Sequence, residues 1–96
     1  MSAFLLVFDS TQVARSKITK TIDKLLPVND WYAFLNNTIC LISEADAPAL
    51  SKQMRVAYPE LRFIIVEIDQ QKKGGWLPKT VWEFIRNSGK VESSAA

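Results

Sequence analysis

The residue in this chain best placed to do chemistry is Asp9, an acid that ends the apolar run Ala3 to Phe8 and is followed at once by Ser10 and Thr11. A carboxylate at a strand end, just ahead of a helix, serves one of two purposes. It caps the turn that follows, or it binds a hard cation such as magnesium. One carboxylate per chain is a poor metal site, so a magnesium centre on Asp9 needs a second Asp9 across a two-fold axis or the phosphates of a substrate. The chain has no histidine, which removes the usual general base of serine and cysteine hydrolases and the commonest transition-metal ligand. Glu67 and Asp69 stand two apart and pair on one side if a strand runs through both; an outward-facing strand end accounts for them equally well. Cys40 is the only cysteine and sits among Ile39, Leu41 and Ile42. These are the surroundings of a buried apolar thiol, not of a nucleophile. With no disulfide available, the expectation is a reducing, cytoplasmic setting.

A second kind of chemistry is phosphate contact. Lys17, Lys20 and Lys24, with Arg15 nearby, gather on one side of a helical pattern and can touch a nucleic-acid backbone. A solvated helix exterior has the same appearance. Lys72, Lys73 and Lys79 surround Gly74-Gly75, but their spacing matches no phosphate-binding loop and reads as a hinge. Trp31, Trp76 and Trp82 can stack on bases, although large aromatics in a small domain more often anchor a core or an interface. The net charge of +2 is too small to prove nucleic-acid binding.

The elements that position these residues follow from the apolar pattern. Ninety-six residues with 48% hydrophobic and 23% charged residues make one domain able to bury a core without a staple. Residues 3–8 read as a central strand buried on both faces. From about Thr11 to Leu26 the period changes to a helix, with Ile18, Ile22, Leu25 and Leu26 inward and the lysines opposite, ended by Pro27. Trp31 to Leu35 and Thr38 to Ile42 form a hairpin around Asn36-Asn37, residues that tolerate positive φ. Asp46 caps a helix with Pro48 in its first turn and Leu50, Met54 and Ala57 inward. Phe63 to Ile68 is the fourth strand, and Trp76 to Ile85 a short last helix. The expected domain spans 1–87, with 88–96 a flexible tail. The N-terminal run Ala3 to Phe8, stopped by Asp9, is too short for a signal peptide or a membrane span.

The order β-α-β-β-α-β-α allows few arrangements. The simplest is an α+β, ferredoxin-like βαββαβ sandwich: an antiparallel sheet of order 4-1-3-2, two helices on one face, and an extra C-terminal helix. Strands one and four are apolar on both sides, so something must cover the second face. A second copy of the chain is the expected cover, the last helix the alternative.

Three local features carry a resemblance. They are Phe-Leu-Leu-Val-Phe-Asp-Ser (4–10), the aromatic hairpin from Trp31 to Ile42, and Val66-Glu-Ile-Asp69 followed by Gly75-Trp-Leu-Pro-Lys-Thr-Val-Trp-Glu-Phe-Ile85. Together, over roughly residues 3–86, they resemble the small CRISPR-associated spacer-adaptation subunit and its SinR-like relatives. The resemblance implies a ferredoxin-like homodimer packed sheet against sheet that contacts duplex nucleic acid, with Asp9 as the strand-end aspartate able to hold a divalent metal. The segment after Asp9, Ser-Thr-Gln-Val-Ala-Arg15, lacks the paired arginines common in that family. The expected function is therefore a homodimeric domain that binds duplex DNA or RNA through Arg15, Lys17, Lys20 and Lys24, with catalysis weak or absent. The alternatives are a magnesium-dependent nuclease or toxin ribonuclease using Asp9, and a protein-interaction module.

Overall fold

Alternation decides the centre of the sheet. In β1 (Ser2–Phe8) the side chains of Phe4, Leu6 and Phe8 point to one face and those of Ala3, Leu5 and Val7 to the other, as the period of two requires. The computed structural model describes residues 1–95, with side chains through Asn87. After β1 come α1 (Arg15–Leu25), β2 (Asp30–Leu35), β3 (Thr38–Ser43), α2 (Ala47–Ala57), β4 (Phe63–Glu67) and α3 (Lys79–Ala95). The four strands form one antiparallel sheet of order β2-β3-β1-β4; counted from the β4 edge this reads 4-1-3-2. The arrangement is α+β and compatible with a ferredoxin-like sandwich.

The first face carries the main core. Ile18 and Ile22 of α1 and Leu50 and Met54 of α2 bury against Phe4, Leu6, Ile39, Leu41 and Ile65. A half-buried hydroxyl link ties the helices together, Tyr58 Oη lying 2.6 Å from Thr21 Oγ1. Asp46 caps α2 by accepting from Ala49 N at 2.9 Å, with Pro48 in the first turn.

Three expectations need correction. First, α1 begins at Arg15 and not near Thr11, because the intervening residues form a separate turn in which Gln12 N and Val13 N donate to the Asp9 carbonyl. Secondly, Leu35 pairs with Thr38 across Asn36-Asn37, but neither asparagine takes positive φ. The register shifts between Ala33 and Leu35 instead, and such a bulge supplies the extra twist that a primed turn would otherwise give. Thirdly, the last helix starts at Lys79, with Val81 N and Trp82 N donating to the Pro78 carbonyl. Trp76 stays in the preceding loop, 97% exposed. The helical backbone continues to Ala95. The expected tail over 88–96 falls where side chains, and at 96 the backbone, lie outside the described residues.

α3 also corrects the account of the second face. Val81 and Ile85 bury against Ala3 and Cys40, with Leu5, Leu77, Trp82 and Phe84 packed around them, and Phe84 meets Tyr32 edge to face at 5.6 Å. The chain thus covers much of that face itself. What remains open includes Ile64 (56% exposed) and Val66 (42%) on β4 and Leu35 (50%) on β2.

Candidate functional site

Asp9 leaves the sheet at the end of β1 with its own N–H donating to Arg62 O at 2.9 Å. Its carboxylate is fully engaged. Oδ1 accepts from Thr11 Oγ1 at 2.5 Å and from Thr11 N at 3.0 Å, while Oδ2 accepts from Arg62 Nη2 at 3.1 Å. Thr11, through hydroxyl and then backbone, and the Arg62 guanidinium hold this carboxyl below the usual carboxylate value, against a smaller opposing effect of burial. Gln12 locks the same corner, donating to Glu60 O at 2.9 Å and accepting from Arg62 N at 2.9 Å. Asp9 therefore organises the β1–α1 turn and pins it to the start of β4. α1 itself is capped by Ala14, with no side-chain cap bond.

Within one chain, and among the described residues, Asp9 stands without the further protein ligands that a magnesium ion needs. Both carboxylate oxygens already serve donors, a guanidinium stands beside one of them, and no group of three acidic, thiol or imidazole ligands forms among the described residues. Glu67 and Asp69 do not pair either. Glu67 ends β4, whereas Asp69 starts a turn in which its Oδ1 accepts from Gln71 N at 2.9 Å. Cys40 is fully buried and burial pushes its thiol up to about 12, which keeps it protonated and inert near neutral pH.

The basic residues divide into two groups. Lys17, Lys20 and Lys24 are exposed on α1 opposite Ile18 and Ile22, and among the described residues none makes an ion pair. At about 100° per residue they occupy an arc of roughly 60°, a continuous positive ridge. Arg15 lies well round the helix from that ridge. It is half-buried beside β2, and its Nη1 donates to Leu35 O at 3.1 Å. The four cations read together in the sequence are thus three plus one.

The tryptophans also separate. Trp31 is half-buried with its indole N–H donating to Asp23 Oδ1 at 2.7 Å, so it anchors β2 to α1 and does not present a free stacking face. Trp82 belongs to the second core, and only Trp76 stands in solvent. Lys73 folds back on its own loop, its Nζ donating to Gln70 O at 2.6 Å. Gly75 takes φ +154° beside the Trp82 ring, a conformation that favours glycine.

A shallow groove of about 800 Å³ runs between the start of α1 and β2, lined by Ser10, Arg15, Thr19, Trp31 and Asn36 among others. It brings no catalytic pair together. The Arg62 contact to Asp9 was not legible in the sequence, since 53 positions separate the two and no motif joins them. No protein family, curated protein or solved structure matches this chain.

Proposed function

We propose that this chain is a ferredoxin-like, homodimeric relative of the CRISPR-associated adaptation subunit and SinR-like proteins, that it holds duplex DNA or RNA by the phosphate backbone, and that its catalysis is weak or absent. The observation that carries the reading is the unpaired ridge of Lys17, Lys20 and Lys24 on the outer face of α1. The ridge offers charge without groove-reading side chains, so it positions a backbone and reads no bases. Three lysines per chain, doubled in a dimer, contact up to about six phosphates, which gives a salt slope of roughly −5 in log affinity against log salt. Weak catalysis accords with the engagement of Asp9 by Thr11 and Arg62.

Fluorescence anisotropy with labelled duplex DNA and RNA at low and moderate salt tests the proposal. Binding is expected to be weak, indifferent to sequence, and abolished by Lys17→Glu, Lys20→Glu and Lys24→Glu together. No retention at low salt would refute it. The protein-interaction reading would then come first, favoured by the exposed apolar residues of β4.

A further inference from the structure

We infer that α2 supplies a second row of phosphate contacts, Lys52 and Arg55, beside the ridge of α1, so that one chain grips a duplex through both helices. The inference rests on the phosphate-binding reading proposed above and extends its site onto a second helix.

Charge is spread unevenly over this molecule. α1 and α2 carry Arg15, Lys17, Lys20, Lys24, Lys52 and Arg55 against a single acid, Asp23. The whole chain has a net charge of only +2, so everything outside the two helices is acidic on balance. Asp23 is also turned away from the ridge. Its Oδ1 accepts from the Trp31 indole on the β2 flank of α1, the flank on which Arg15 reaches the Leu35 carbonyl. The helix layer therefore carries a positive potential that the small net charge conceals.

The fold sets the two rows side by side. Both helices bury their apolar sides in one core, through Ile18 and Ile22 of α1 and Leu50 and Met54 of α2. Tyr58, at the end of α2, meets the other flank of α1, its Oη 2.6 Å from Thr21 Oγ1 and 3.2 Å from Lys17 O. At about 100° per residue, Lys17 and Lys24 lie only about 40–60° round the helix from Thr21, so the ridge leans toward α2. Lys52 and Arg55 are exposed there and border a shallow depression floored by Pro48, Val56 and Pro59, with no acid in its lining. Among the described residues neither makes an ion pair.

Charge complementarity selects a phosphate backbone as the occupant. Neither helix contains an aromatic residue, so this face lacks the anchor that usually centres a protein interface. A row of phosphates needs no such anchor. Helices packed side by side lie about 8–10 Å apart, a spacing between the widths of the two grooves of a duplex, about 6 and 12 Å. The rows of α1 and α2 thus fall on phosphates of opposite strands, whereas a single strand follows only one row.

Fluorescence anisotropy over a salt series tests this. Lys52→Gln with Arg55→Gln removes two contacts and should weaken binding of a labelled duplex at least about tenfold at low salt. It should also make the slope of log affinity against log salt shallower by about 2 for each bound chain. Lys72→Gln with Lys79→Gln makes the same change of net charge on the segment between β4 and α3, and should leave the slope within error of wild type. Circular dichroism should be unchanged in both variants. For a single strand of the same length, the α2 substitutions should shift the slope less than half as much. A duplex retained by wild type, lost on reversal of Lys17, Lys20 and Lys24, and indifferent to the α2 substitutions overturns the second row and leaves the phosphate-binding reading standing. Equal loss from the Lys72 and Lys79 substitutions overturns it too, since net charge would then be the cause. An equal shift for the single strand overturns the placement on two strands. No retention of duplex by wild type at low salt overturns both readings.

Discussion

Ser43 shows how a single side chain holds a junction together. It is fully buried at the end of β3, donates to the Pro27 carbonyl at 2.5 Å, and accepts from Ala45 N at 3.0 Å. One hydroxyl thereby joins the exit from α1 to the entry of α2. Ser43→Ala should destabilise the protein by about 1–3 kcal/mol, the cost of a buried group left without its partner, read from urea midpoints; a change within error would show that the junction does not depend on this hydroxyl. Asp9 acts through charge. Its folded pKa lies below the ordinary value, held down by Thr11 and Arg62, so the folded state binds fewer protons than the unfolded chain in the acid range. Its contribution is present above the unfolded carboxylate value and is lost as pH falls through the folded pKa. Asp9→Asn should therefore lower the thermal midpoint at pH 7, and the gap to wild type should close in acid as pH falls through the folded pKa. An equal gap at pH 7 and in acid would mean that the turn, not the charge, carries the stability.

Among the elements, α3 is the one whose role the apolar pattern left open. Leu77, Val81, Phe84 and Ile85 are spaced for packing, and the same spacing suits an interface with another protein. The structure lays Val81 and Ile85 on Ala3 and Cys40. Ile85→Ala should cost about 2–4 kcal/mol by opening a cavity there, whereas Trp76→Ala, in solvent, should leave the denaturation midpoint unchanged. Cys40 offers an independent readout, because its thiol is reached only when α3 lifts. Alkylation by iodoacetamide in native buffer should be slow, and Ile85→Ala should hasten it. Rapid alkylation of the wild type would show that α3 does not rest on this face.

For the whole molecule, the lysine ridge and the exposed apolar residues of β4 lie on different parts of the surface. α1 packs on the first face and turns its lysines away from the sheet, while Ile64 and Val66 look out from the second. Contact with a phosphate backbone and self-association through the second face should therefore be separable. Reversing all three lysines should abolish duplex retention in anisotropy without changing the thermal midpoint or the sedimentation of the protein. Loss of dimer in that variant would show the two surfaces to be coupled.

The sequence by itself determined the elements and their order, since alternation in Ala3 to Phe8 and Phe63 to Ile68, and the helical spacing of Ile18/Ile22 and Leu50/Met54, are local patterns that few folds satisfy. Asp46 with Pro48 was legible for the same reason, because a cap acts within its own first turn. The hairpin turn was misread because a bulge one strand position away, and not positive φ at Asn36-Asn37, supplies the twist. Only the tertiary structure decided that Arg62 reaches Asp9, that Arg15 leaves the lysines for β2, and that α3 covers Cys40. Each of these joins residues distant in the chain or chooses among several surfaces a side chain could meet. Periodicity says which face of an element is apolar, and packing of the whole chain says what that face touches.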